Sequence, residues 1–189
     1  MKIVVVENLF SEGNPYITLR PDNAVLRNND DFYLPHFSEN MVCGCGIVVR
    51  ITRLAKSIAP KFASRLYDSI TTGVTFVAKD VLDRAISEHR PTDEAYAFDR
   101  STAIGTEWIT PQNLEDGVVE MKVGDISRSF KCSELRESID ECLSRASQFL
   151  TLKTGDMLFI AMPADVAVKA EENISVTLNG FETLNFTIK

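Results

Sequence analysis

The chain has 189 residues, of which 44% are hydrophobic and 25% charged, which suits one domain with an ordinary core. A net charge of −7 and a pI near 4.9 argue against nucleic acid and against anionic membrane surfaces as partners. No run approaches a membrane span, the start MKIVVVENLF has no small-residue cleavage site, and four Cys without secretory context read as reduced thiols in a cytoplasm.

Residues 2–6 read as a first strand, and residues 11–15, Ser-Glu-Gly-Asn-Pro, as a turn by composition. Residues 16–19 read as extended, with Pro21 pushing Arg20 the same way. A polar turn at 28–31 precedes the short segment 32–35. Residues 41–51, MVCGCGIVVRI, are the central strand, buried on both faces. Alternation puts Cys43, Cys45, Ile47 and Val49 on one face and Gly44, Gly46 and Val48 on the other. Its glycines predict a bulge or a close approach by another group. At i and i+2 the two thiols sit at the edge of disulfide reach, so they are expected to be reduced and unbonded.

Residues 59–72 read as a helix, with Pro60 in its first turn, Gly73 past its end, and Phe62, Leu66 and Ile70 at helical spacing. Residues 74–78 alternate as a strand. Residues 80–89 read as a short helix with Asp80 as its structural cap, 89–94 as loop, and 106–109 as extended. Residues 121–127 form a hairpin with a Gly-Asp turn. Ser133 is read as the N-cap of a helix reaching about Leu150, with Leu135, Ile139, Cys142, Leu143, Ala146, Phe149 and Leu150 as its apolar stripe; Cys142 is then a small core hydrophobe. Residues 154–156 are a turn and 157–162 a strand. Asn179-Gly180 joins strands 174–178 and 181–188, the strongest short hairpin signal. Trp108 reads as a core or interface residue, Asp99 as a turn tie, and Glu171-Glu172 as a solvated turn. Many short strands with two or three helices predict an α+β, mostly β fold with a curled mixed sheet.

Several motifs then align. Leu19-Arg20-Pro21-Asp22-Asn23-Ala24 is similar to K-P-D-x-A, and Ile47-Val48-Val49 to the apolar half of E-x-E-L-A-V-V-I. Lys79-Asp80 is similar to R-D, Phe98-Asp99 with Ile104-Gly105 to F-D-x-x-x-x-x-G, and residues 152–156 to L-x-x-G-D, with Met162-Pro163 where T-G-T-P is expected. Tyr33-Leu34-Pro35 before the central strand adds to the set. Together, from about residue 16 to 189, they resemble the catalytic domain of the fumarylacetoacetate hydrolase family. The resemblance implies one domain over 1–189, with N-terminal strands and a shortened lid in 1–40 and the core in 41–189. Its fold would be that family's mixed β-sheet roll or sandwich with peripheral helices, forming a homodimer, with an active relative as a further candidate partner.

In active relatives the resemblance implies Mg²⁺ held by the two Glu of E-x-E and an Asp about thirty residues later, because hard cations take carboxylate oxygens. The metal stabilises an enolate as a C–C bond breaks. A Lys adds charge, and a His/Glu pair on the lid moves protons. Placed residue by residue, the two Glu fall on Cys43 and Cys45, the Asp on Thr75 and the Lys on Tyr96. The segment from Glu7 to Pro15 carries no His. Lys79, Asp80, Cys132, Met162 and Pro163 fall on substrate-pocket positions, with 164–167 replacing a Gly-rich turn. No metal or other cofactor is then expected, and no catalytic residue. The alternative is a thiolate site for zinc at Cys43 and Cys45 with Cys132 near. Nucleophilic Cys catalysis would need a paired base, and nothing places His36 or His89 beside a thiol. Two hypotheses stand: a non-catalytic scaffold or binding protein, and a hydrolase, decarboxylase or isomerase of a small oxo acid with a rebuilt site.

Overall fold

The computed structural model describes residues 1–10, 12–111, 114–135 and 137–189. Ser11 of the expected turn lies outside them. The strands are β1 (Lys2–Glu7), β2 (Tyr16–Pro21), β3 (Val25–Leu26), β4 (Met41–Ile51), β5 (Tyr67–Ala78), β6 (Thr102–Ile104), β7 (Val118–Val123), β8 (Ile126–Lys131), β9 (Met157–Ala161), β10 (Val166–Ala167), β11 (Asn173–Leu178) and β12 (Phe181–Thr187). The α-helices are α1 (Lys79–Ser87) and α2 (Ile139–Phe149), and short 3-10 turns join several strands. The class is the expected α+β, mostly β one.

The larger sheet runs β2-β1-β9-β4-β5-β6-β3, with β10 also paired to β4. Its two outer strands, β2 and β3, are joined by the three-residue turn Asp22–Ala24. Laid flat, seven strands would hold those edges about 29 Å apart, while that connection reaches only about 14 Å. The sheet therefore curls onto itself. Its inner face buries Ile3, Val5, Val48, Ile104, Met157, Phe159 and Ala161. Its outer face, with Val4, Val6, Cys43, Cys45, Ile47, Val49, Val74 and Phe76, packs in a separate core shared with the second sheet, β12-β11-β7-β8, and with α2. Phe76 joins the two sheets by stacking on Phe32, centroids 3.7 Å apart, and meeting Phe186 edge-on at 6.2 Å.

The central strand has the predicted bounds and is buried from Met41 to Val49. Its glycines mark close approach, not a bulge: Gly46 pairs with Gly73 of β5, and the Phe159 ring lies over both, within 2.5–2.6 Å of where a Cβ would stand. The expected helix at 59–72 is corrected. Only Pro60–Leu66 turns, as a 3-10 helix, and β5 starts at Tyr67. The β-branched run Ile70, Thr71, Thr72, Val74 and Thr75 prefers the pleat and overrides the four-residue spacing of Leu66 and Ile70. Gly73 is thus a mid-strand residue and caps nothing.

The long helix starts later than expected. Its N-cap is Ser138, whose Oγ accepts from the Glu141 N–H while the Glu141 carboxylate accepts from the Ser138 N–H at 2.7 Å, a complete capping box. Ser133 sits in the 3-10 turn Cys132–Glu134. Ile139, Cys142, Leu143 and Ala146 face the core as expected, but Phe149 is 71% exposed. Of the segment 106–109, read as extended, Ile109 forms a single bridge to Ile70, and the strand beside it is β6 at Thr102–Ile104. Asp80 is not a cap either: Ala78 holds that position, and the Asp80 carboxylate instead accepts from Ser38 Oγ and the Glu39 N–H, tying that loop to α1. Both hairpin turns are as predicted, with Asn179 at φ 54° and Gly180 at φ 77°. Asp99 does tie a turn, accepting from the Asn23 amide.

Candidate functional site

A cleft of about 260 Å³ opens where β1 ends and β5 passes into α1. Glu7, Tyr16, Val77, Lys79, Tyr96 and Pro163 line it, with Leu9, Phe10, Leu82, Met162 and Ala164. Pairing of β1 with β2 puts Glu7, Tyr16, Thr18 and Arg20 on the inner face of the curl, because Val5 pairs with Thr18, Ile3 with Arg20 and Glu7 with Tyr16.

Arg20, on the same face of β2 as Tyr16 and behind the cleft wall, is unusual in being 1% exposed. Its Nη1 donates to Thr18 Oγ1 at 2.9 Å, and Thr18 Oγ1 donates to Glu7 Oε1 at 3.0 Å. Glu7 Oε1 is 3.7 Å from Arg20 Nη2. The guanidinium lies 4.9 Å above the Tyr96 ring, a cation–π contact that spans the curl. Among the described residues its Nε and Nη2 have no hydrogen-bond partner. Burial lowers its pKa, yet a guanidinium stays charged at any physiological pH. Burial also pushes Tyr96 up to about 12, helped by Tyr16 and Glu7, so its phenol is neutral. The cleft is thus lined by one carboxylate, two phenols and apolar walls, with the Arg20 guanidinium buried behind them. Lys79, at the rim, pairs with Asp83 one turn along α1.

The structure does not bring Thr75 together with Cys43 and Cys45. In the β4/β5 ladder Cys43 pairs with Phe76, Gly44 with Thr75, Cys45 with Val74 and Val42 with Val77, without a break from Met41 to Val49. Directly paired residues share a face. Cys43 and Cys45 therefore face the outer core with Val74 and Phe76, while Thr75 faces inward with Gly44. Three ligands of one ion must share a face, so placing the Glu positions on Cys43 and Cys45 is off by one residue, and such a slip flips the whole face. The inward positions beside Thr75 are Val42 and Gly44. Matching Ile47-Val48-Val49 to the last three letters of E-x-E-L-A-V-V-I gives the same frame.

None of these three positions carries a carboxylate. The space at Gly44 is also filled: a Cβ there would lie 2.6 Å from the Pro163 carbonyl oxygen and 2.9 Å from Ala164 Cα. Thr75 Oγ1 donates to the Gly44 carbonyl at 3.4 Å. A hard divalent ion needs six or more oxygens, and this set does not fit one.

The remaining expected site residues scatter. Cys132 lines a different cavity with Tyr67 and Ile139. Tyr67 stands eight residues before Thr75 on β5, about 26 Å away at strand rise, so Cys132 joins neither the cleft nor the other thiols. Asp80 ties a loop, as above. Met162 does touch Cys45, Sδ to Sγ at 3.5 Å, and Pro163 covers Gly44. All four cysteines are free and buried. Among the described residues no three His, Cys, Asp or Glu side chains are grouped to hold a metal, which leaves the zinc alternative without its ligand set. The sequence reading did not find Glu7 on the cleft wall or Arg20 buried behind it. The signal was available only for Arg20, in the Arg-Pro pair of its motif.

A family model described as fumarylacetoacetate (FAA) hydrolase C-terminal matches residues 5–189. Mitochondrial oxaloacetate tautomerase FAHD1 of Rattus norvegicus is 22% identical over 182 residues, covering 94% of this chain and 82% of that protein. The homoprotocatechuate catabolism bifunctional isomerase/decarboxylase of Escherichia coli is 23% identical over 168 residues, 88% of this chain and 38% of that one. Among solved structures, fumarylpyruvate hydrolase from Pseudomonas aeruginosa, in complex with Mn²⁺ and pyruvate, superposes with a TM-score of 0.90 at 19% identity, over 100% of this chain and 89% of that chain. No helix among the described residues is long and apolar enough to cross a membrane.

Proposed function

The chain belongs to the fumarylacetoacetate hydrolase family, and from that premise we propose that it is a non-catalytic member, a scaffold or binding protein built on a fold whose relatives are enzymes. The observation that carries this reading is the inner face at Val42, Gly44 and Thr75. It offers one hydroxyl where a divalent ion needs carboxylates, and the backbone of Pro163 and Ala164 occupies the space beside it. The lysine position holds Tyr96, neutral and stacked on Arg20. Without metal or lysine an enolate has no counter-charge, and that electrostatic stabilisation is usually the largest catalytic contribution. What the cleft keeps is an apolar pocket with the Glu7 carboxylate and the Tyr16 and Tyr96 phenols on its wall, and the Arg20 guanidinium buried behind them.

With Mg²⁺ present, the purified protein is expected to process oxaloacetate or an acylpyruvate no faster than the metal alone. Turnover above that background, abolished by a chelator, would sink the reading. A scaffold role goes with a homodimer, since β2 is an open edge with Tyr16 and Leu19 exposed and edges of this kind call for cover. Light scattering should give twice the 21.1 kDa chain mass; a monomer at micromolar concentration contradicts it. Four buried free thiols suit a reducing cytoplasm, which cell fractionation checks.

A further inference from the structure

The thiols that do not belong to the cleft meet other sulfur atoms between the two sheets. Cys43 and Cys45 project from the outer face of β4, each 0% exposed. The Met162 thioether is 3.5 Å from Cys45 Sγ. Met121, projecting from β7 of the second sheet, lines the same small cavity of about 90 Å³ with Cys45 and Met162. Arg128 and Asp165, an exposed pair 3.7 Å apart, stand at its rim. Cys43 is on the same face one strand repeat from Cys45 and pairs with Val166, next to Asp165.

We propose that Cys45, Met162 and Met121, with Cys43 beside them, form a binding site for a soft monovalent metal ion, copper(I) or its probe silver(I).

The donor set decides the metal. Thiolates and thioethers are soft and select copper(I), while carboxylate-seeking Mg²⁺ and Ca²⁺ find nothing here. Zinc prefers four ligands drawn from Cys, His and carboxylates, which the described residues do not group. Copper(I) is satisfied by two or three sulfurs. Charge agrees: one copper(I) with one thiolate is neutral, and a neutral pair is tolerated where a net charge would be costly. Binding displaces one thiol proton from Cys45 to solvent, and no electron moves. Burial holds the free thiol well up, to about 12, so without metal the site stays protonated and uncharged. The rim gives an ion a short path, through the Arg128–Asp165 pair, to the sulfurs. Cys–Met contact also occurs in ordinary cores; what distinguishes this one is the third sulfur across a cavity with room for an ion.

The test is an anaerobic titration of the full chain with copper(I) against a coloured copper(I) chelator, repeated with silver(I). Wild type should take one equivalent from the chelator, with ultraviolet thiolate-to-metal absorption. Met162→Leu keeps the volume and the fold, which far-ultraviolet circular dichroism verifies, and should lower the bound metal from one equivalent to a small fraction. Cys45→Ala should abolish the absorption band. Cys132→Ser with Cys142→Ser should leave one equivalent bound. Wild type that takes no metal overturns the proposal, as does binding unchanged in folded Met162→Leu, or binding lost only with Cys132 and Cys142. Met162 also lines the cleft, but Cys45 does not, so the Cys45→Ala outcome is independent of it.

Discussion

Gly46→Ala is expected to destabilise the protein by about 3 kcal/mol, the upper end for overpacking a well-filled core, and to lower Tm by roughly 6–12 °C for a chain of this size. A Cβ at Gly46 would clash with the Ile160 carbonyl oxygen, 2.2 Å away, and with Phe159 Cε1, 2.5 Å away, and one at Gly73 would stand 2.6 Å from Phe159 Cε2. The ring is fully buried on the inner face, and β9, which carries it, is hydrogen-bonded to β4 along Gly46–Arg50. Neither the ring nor the strand can retreat without opening the ladder. Trimming the ring should relieve the part of the clash that falls on it and leave the part against the Ile160 carbonyl, so Phe159→Leu with Gly46→Ala should cost somewhat less than the sum of the two single changes. Urea unfolding of the four proteins reads this. A Gly46→Ala loss within about 0.5 kcal/mol, the range of ordinary surface substitutions, would show that the glycine pair is not a seat for the ring.

Asp156→Asn is expected to cost about 2 kcal/mol at pH 7, the range for hydrogen bonds to a charged group, and much less in acid. The carboxylate is 3% exposed. It accepts from the Lys2 N–H at 3.0 Å, the Lys153 N–H at 2.9 Å and the Lys2 ammonium, fastening the start of β1 to the turn before β9. Burial pushes its pKa up, but these donors outweigh it and hold the carboxyl below its usual range. A folded value below the unfolded one, about 3.9, means stability that is fully present above that value and disappears as pH falls through the folded one. Wild type should therefore lose stability steeply from about pH 4 downward, and Asp156→Asn less steeply. An equal difference between the two proteins at pH 7 and at pH 2.5 would contradict the assignment.

The sequence was most legible where one local signal decides an element. The apolar run of β4, the Asn179-Gly180 and Gly124-Asp125 turns, and Asp156 after its Gly needed no tertiary context. It misled where two signals compete. Leu66 and Ile70 fit a helix, but the β-branched residues that follow belong to a long strand whose inner neighbour is β6. Ser133 and Ser138 both precede acidic residues, and only Ser138 completes a capping box with Glu141. The site suffered from a subtler failure. Which face of β4 meets the cleft is a matter of register, and one residue exchanges Cys43 and Cys45 for Val42 and Gly44. The pairing of Gly44 with Thr75 fixes it, and the frame of Ile47-Val48-Val49 in the motif agrees. Arg20 was hidden for another reason: its burial depends on β2 meeting Tyr96 across the curl, a contact between distant stretches of chain.

Whether this fold still holds a hard divalent ion decides between a scaffold and an enzyme. Isothermal calorimetry of the unmodified protein with Mg²⁺ and with Mn²⁺, up to millimolar concentration, is the direct measurement. The side chains at Val42, Gly44 and Thr75 predict no saturable heat with either ion, because a single hydroxyl cannot offset the cost of stripping their water. A saturable one-to-one isotherm with Mg²⁺, lost on adding a chelator, would contradict it.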